Sequence, residues 1–259
     1  MSSIELKIEN KVARITLNRP EVFNSFNREM ALSLQNILDD CEANPEVRAI
    51  VLTGNGKAFC AGQDLKEVTD PELNPGFKKI LEEHYNPIIT RLRAIKKPII
   101  GAVNGVAAGA GANIALACDI VVAHEKVSFI QAFSLIGLVP DSAGTFFLPR
   151  LIGFQKAQAL AMLGDKISAE EAEKMGMIYK SVSLDDFEDT INQLANKLAN
   201  MPTKALGFIK ELFNKSMTNT LEDQLALESK LQIEAASSND YAEGVAAFIE
   251  KRKPNFKGN

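Results

Sequence analysis

Two stretches poor in side chains constrain this chain more than any other feature. The first runs Gly54-Asn55-Gly56-Lys57-Ala58-Phe59-Cys60-Ala61-Gly62-Gln63-Asp64-Leu65, and the second runs Asn104-Gly105-Val106-Ala107-Ala108-Gly109-Ala110-Gly111-Ala112-Asn113. Each leaves an apolar, strand-like run and feeds a helix-like one. Glycine and alanine let another group come close to the backbone. Where that group is a carbonyl oxygen, two converging peptide N–H groups stabilise the charge it gains in a reaction. As residues alone the loops read equally well as tight turns or a phosphate cradle. Neither matches Gly-x-x-x-x-Gly-Lys-Ser/Thr, and Gly105–Gly111 does not fit Gly-x-Gly-x-x-Gly.

The 259 residues suit one large domain or a domain with an appendage, and 46% apolar content is enough for a substantial core. A net charge of −4 and a pI near 5.4 argue against a nucleic-acid binder, which carries a basic excess. Cys41, Cys60 and Cys118 show neither disulfide nor metal spacing and read as reduced thiols of a cytoplasmic protein. The start, Met1-Ser2-Ser3-Ile4-Glu5, has no basic segment followed by an apolar one. No run approaches the length of a membrane span. His84 and His124 sit in no motif, so neither a histidine metal site nor a Ser-His-Asp triad is supported.

Alternation predicts paired strands at Ile4–Glu9 and Val12–Leu17 around Asn10-Lys11. Asn27 is placed to cap a helix ending near Asn44, with Met30, Leu34, Ile37, Leu38 and Cys41 on one face. Ala49–Thr53, Ile99–Val103, Ile120–Ala123 and Tyr179–Val182 read as strands, and Asn113–Cys118 as a helix. Phe77–Ile95 reads as a helix kinked or broken at Pro87. A short helix is expected over Ser142–Leu151, and Ser168-Ala169-Glu170-Glu171 matches a capping box. Beyond Leu184 only helices are expected: Leu184–Asn200, Pro202–Asn214 with Pro202 in its first turn, Thr220–Ser238 and Asp240–Lys251.

Several segments together resemble the crotonase superfamily of enoyl-CoA hydratases and isomerases, over essentially the whole chain. They are Leu17-Asn18-Arg19-Pro20, Asn24-Ser25-Phe26-Asn27, Phe59–Leu65, Lys97–Gly105, Ala117-Cys118-Asp119-Ile120, Leu148-Pro149-Arg150 and Glu243–Arg252. The resemblance implies an α/β fold, a spiral of ββα units over residues 1–195, with a C-terminal helical region (196–259) that mediates trimer formation. Two trimers commonly stack as a hexamer. It implies an acyl-CoA thioester ligand, coenzyme A arriving as part of the substrate with no separate cofactor or metal. It assigns the oxyanion-hole donors to the backbone N–H groups of Gln63 and Ala110. It assigns coenzyme A contacts to Lys57, Ala61 and Asp64, and to Phe248 and Lys251 acting on a neighbouring subunit. Read without the resemblance, Lys57 is a solvated loop charge, Phe248 a buried helix residue and Lys251 an exposed one.

Hydratases of this family use two glutamates, at the positions of Asn113 and Phe133. A neutral amide is no strong base and a phenyl ring moves no proton. Asp141 stands where ordinary hydratases have glycine, and an acid there is found in relatives that shift double bonds and in an aromatic dehalogenase. Within the superfamily, Gln131–Asp141 and Gly176-Met177-Ile178 look most like the isomerases that turn a ring-1,2-epoxyphenylacetyl thioester into its seven-membered oxepin isomer. The implied activity is an isomerase with Asp141 as single base, acting on that ring epoxide, on 3-enoyl thioesters, or on both. The alternatives are an enoyl-CoA hydratase and a non-catalytic CoA- or RNA-binding relative. As residues alone, Asp141 reads as an N-cap and Asn113 as a polar cap. Beside the hole, Asn113 and Phe133 would line the substrate pocket. Cys60 reads as a small buried hydrophobe. Tyr85 and His84 read equally as residues facing the acyl pocket or as ordinary helix residues, and neither is assigned a role.

Overall fold

The computed structural model describes residues 2–259. Strands β1 (Ile4–Glu9) and β2 (Val12–Leu17) form an antiparallel hairpin. Asn10 and Lys11 turn it with φ of 51° and 65°, the left-handed pair that matches the twist of the flanking strands. Helix α1 (Arg28–Ala43) begins where the Asn27 side chain accepts the Met30 N–H, and it buries Met30, Leu34, Leu38 and Cys41 along one stripe.

A two-strand-plus-helix unit then recurs. Strands β3 (Ala49–Gly54) and β4 (Ala58–Cys60) lead to α2 (Leu65–Thr69), α3 (Phe77–Lys79), a π-helical turn (Ile80–Tyr85) and α4 (Asn86–Ala94). Strands β5 (Ile99–Val103) and β6 (Val106–Ala108) lead to α5 (Ala110–Leu116). Strands β7 (Ile120–His124) and β8 (Ser128–Ile130) lead to α6 (Gly144–Ile152) and α7 (Phe154–Leu163). Strand β9 (Lys166–Ser168), α8 (Ala169–Lys174) and β10 (Lys180–Val182) follow. The chain ends with α9 (Phe187–Ala199), α10 (Thr203–Ser216), α11 (Leu221–Ala236) and α12 (Asn239–Glu250).

The first strand of each unit joins one sheet, in the order β1-β2-β3-β5-β7-β10, and the second joins another, β4-β6-β8-β9. Beyond the first hairpin the larger sheet is parallel. This is the ββα spiral that the resemblance implies. β3 and β5 are buried along their whole length, which is why they read as unbroken apolar runs instead of alternating ones. One core lies between the two sheets and α1, α4 and α5; a second, smaller one lies between the larger sheet and α9. Position 195 falls inside α9, which packs against β2, β3, β5 and β7.

Several elements differ from the sequence expectation. The glycine loops contain strands: β4 and β6 are too short to show periodicity and exist because they pair with each other in parallel. β8, β9 and α7 carried no signal that separated them from their surroundings. The Phe77–Ile95 stretch departs from α geometry before Pro87, as the π-helical turn Ile80–Tyr85, and Pro87 then sits in the first turn of α4, where its missing N–H costs nothing. Pro202 is the N-cap residue of α10, one position earlier than expected. Among the described residues no helix is long and apolar enough to cross a membrane.

Candidate active site

The two small-residue segments interlock main chain to main chain. A Cβ on Gly105 would stand 2.2 Å from the Lys57 carbonyl oxygen, and one on Gly111 would stand 2.3 Å from that of Cys60. No side chain fits at either place, so glycine is required by contact and not by turn geometry. At the end of this seam Gly62 has φ of 96°, and a Cβ there would lie 3.1 Å from the Ala108 oxygen and 3.5 Å from the Ala110 nitrogen. The residue before Gln63 therefore abuts the Ala110 nitrogen.

Among the described residues neither N–H is taken up by a main-chain carbonyl. Ala110 opens α5, so its N–H has no carbonyl within the helix. Gln63 meets Phe26 in a single parallel bridge whose bonds run from the Phe26 N–H to the Gly62 oxygen (2.7 Å) and from the Asp64 N–H to the Phe26 oxygen (2.8 Å). The Gln63 N–H takes no part in either. The segment Arg19–Asn27 clamps this loop. Buried Asn24 donates to the Asn55 and Ala58 oxygens, and Arg19 reaches the Ser25 oxygen and Asp64.

Asp141 lies on the loop between β8 and α6. Its carboxylate caps nothing: the N-cap of α6 is Ala143, and no side chain caps that helix. The carboxylate accepts instead from the Ser142 hydroxyl at 2.8 Å. Burial pushes the Asp141 pKa above its ordinary value, and the Ser142 hydrogen bond opposes part of that rise. Ser142 and Ala143 both have left-handed backbone, φ 50° and 58°, so the turn is held under strain.

Asn113, 1% exposed on α5, uses both ends of its amide within the protein. Its Nδ2 donates to the Asp141 main-chain oxygen at 2.8 Å and its Oδ1 accepts from Gln131 Nε2 at 2.9 Å. Its place as a lone polar cap is thus replaced by a tie between α5 and the Asp141 loop. Phe133 is buried with its ring edge toward Gly109, where a Cβ would lie 3.7 Å from Cζ.

The remaining predicted residues divide by exposure. Lys57 and Ala61 are exposed on the first loop. Asp64 is buried; one oxygen pairs with Arg19 at 2.7 Å and the other caps α2 at the Lys66 N–H. Phe248 is 86% exposed and not the buried residue that its helix position suggests. Lys251 closes α12 in left-handed conformation, also exposed. Cys60 is fully buried, and burial pushes its thiol up to about 12.

Sequence reading gave Tyr85 no role and did not single out Glu67. Tyr85 donates its hydroxyl to Gln63 Oε1 at 2.9 Å, and Glu67 accepts from Gln63 Nε2 at 2.7 Å. The Asp64-to-Glu67 spacing is that of a capping box, yet Glu67 turns to the Arg28 N–H and to Gln63 instead.

The enoyl-CoA hydratase/isomerase family model matches residues 7–259. The 1,2-epoxyphenylacetyl-CoA isomerase of Escherichia coli K12 is 47% identical, covering 100% of this chain and 99% of its own. A protein of Rhodobacter capsulatus named "Probable enoyl-CoA hydratase" is 45% identical over 99% of this chain and 98% of its own. The crystal structure of an enoyl-CoA hydratase from Bacillus anthracis superimposes with a TM-score of 0.92 at 32% identity, covering 99% of this chain and 100% of that one. With the ββα spiral and the loop seam already in place, the chain belongs to the enoyl-CoA hydratase/isomerase family.

Proposed function

We propose that the chain is an acyl-CoA isomerase in which Asp141 is the single base beside an oxyanion hole made by the Gln63 and Ala110 N–H groups. The observation that carries this reading is the Asp141 carboxylate. It is free of any capping role, raised in pKa by burial and held on a loop tied to α5. The positions of the two hydratase glutamates hold Asn113, whose amide is already bonded at both ends, and Phe133.

In a 3-enoyl thioester the hole polarises the carbonyl. Asp141 takes a proton from the α-carbon and the electron pair moves into the thioester oxygen, giving a dienolate. The same carboxyl returns the proton to the γ-carbon, and the double bond moves into conjugation with no net change in composition. A raised pKa suits a carboxylate that must accept and then release the proton. The likeness to the ring-epoxide isomerase of Escherichia coli supports a ring-1,2-epoxyphenylacetyl thioester as a second substrate, where the same base assists opening and rearrangement. Coenzyme A enters as part of the substrate. In this reading Phe248 and Lys251 complete the coenzyme A site of a neighbouring protomer in a trimer, an assignment that their exposure supports.

An ultraviolet assay of 3-enoyl-CoA, following the conjugated thioester, tests the reading beside Asp141→Asn. Activity in the parent and its loss in a folded variant supports the one-base isomerase. Equal activity in both removes Asp141 from the mechanism. Hydration of crotonyl-CoA faster than isomerisation would favour the hydratase named among the relatives.

A further inference from the structure

We propose that Tyr85 is a positioning residue: its hydroxyl fixes the Gln63 side chain and thereby the direction in which the Gln63 peptide N–H points. This rests on the reading of Gln63 as a hole donor. The Gln63 amide is gripped at both ends, by Glu67 on Nε2 at 2.7 Å and by Tyr85 on Oε1 at 2.9 Å. The Glu67 carboxylate only accepts, so it selects the NH2 end, and the Tyr85 O–H must then be the donor to Oε1. Glu67 is fixed in turn by the Arg28 N–H at 2.7 Å, at the start of α1.

Tyr85 is itself packed on all sides. It is 1% exposed, its ring meets Phe26 edge-on at 6.0 Å between centroids, and Phe26 is the residue whose backbone brackets Gln63. Tyr85 ends the π-helical turn, whose Glu83 and His84 carbonyls accept from buried Gln35. A π turn places a side chain where regular helix would not. The result is one tyrosine whose hydroxyl holds the side chain of Gln63 while its ring packs on Phe26, whose backbone brackets the Gln63 main chain. Hydrogen-bond strength falls steeply with misalignment, so a donor that swings loses much of its effect on the oxyanion.

The test compares the parent with Tyr85→Phe, Gln63→Ala and the double variant. Readouts are kcat and KM for 3-enoyl-CoA, and the infrared carbonyl stretch of bound crotonyl-CoA. Gln63→Ala keeps the peptide N–H and removes its anchor, and it serves as well if Tyr85→Phe does not fold. The expected result is a fall in kcat of about tenfold in each single variant with KM within about twofold, part of the loss seen when a hole donor is deleted outright. The carbonyl red shift on binding should shrink in both, and the double variant should be no worse than either single. A Tyr85→Phe enzyme with parental kcat and red shift overturns the positioning role and leaves the hole standing. Losses that multiply in the double variant also overturn it, because the two residues then act separately. A parent that shows no red shift overturns the hole itself and this proposal with it.

Discussion

The Asn113 side-chain amide donates to the main-chain oxygen of Asp141 across 2.8 Å, joining α5 to the loop that carries the proposed base. The Ala110 N–H opens that same helix. The proposed hole donor and the proposed base are therefore linked through one helix, which suits a reaction that needs both held at fixed separation.

Replacing Asp141 by Asn should lower kcat by about a hundred- to ten-thousand-fold, the usual worth of a positioned base. The fold should not suffer. A carboxyl whose pKa is raised in the native state favours that state while protonated and opposes it once ionised. At neutral pH the amide therefore removes a buried charge, and thermal melting should show Asp141→Asn as stable as the parent or more so.

The pH dependence of kcat/KM should report the same group. Activity needs the ionised carboxylate, so the acid limb should fall at a pH above 3.8, the ordinary aspartate value, because burial raises Asp141. A pH–rate profile of 3-enoyl-CoA isomerisation with its limb at or below the ordinary value would contradict the role assigned to burial.

Asn113→Ala should cost about 1–3 kcal/mol of stability in urea unfolding, since it leaves the buried Gln131 amide without its acceptor. The Asp141 oxygen still accepts the Gly144 N–H at 2.9 Å, so the loop persists but loosens. Isomerisation kinetics should show kcat reduced with KM nearly unchanged, because the Asn113 amide is buried and turned to Asp141 and Gln131 and not to a ligand.

Much of this fold is legible in the chain, and what is not has a common physical cause. The Asn27 cap, the β1–β2 turn and the buried runs β3 and β5 are local or strongly patterned, so residues alone announce them. β4 and β6 are set by pairing across the chain, and three residues cannot display a period. The site divides the same way. Asp141 could be singled out because a carboxyl replaces a glycine of the family pattern. Tyr85 and Glu67 could not, because what distinguishes them is that both reach Gln63, a relation of folded space. The exposure of Phe248 also contradicts its local pattern, since an apolar helix face says only that something covers it, and not whether that is the same chain.

Gly105→Ala should be among the most damaging small substitutions in the protein. The added methyl would stand 2.2 Å from the Lys57 oxygen and 2.7 Å from the Ala58 Cα, both main chain, so no side chain can rotate away to make room. β4 and β6 would have to separate, and they carry the two loops that present Gln63 and Ala110. The cost should be about 3 kcal/mol, at the upper end for overpacking, because the obstruction is backbone on both sides. Urea unfolding measures that loss directly. Activity should fall beyond what the unfolded fraction explains, since any surviving native state must hold the two N–H groups further apart. A variant with parental stability and parental kcat would show that the seam is softer than its contacts indicate, and that close approach of these two loops is not what glycine at 105 provides.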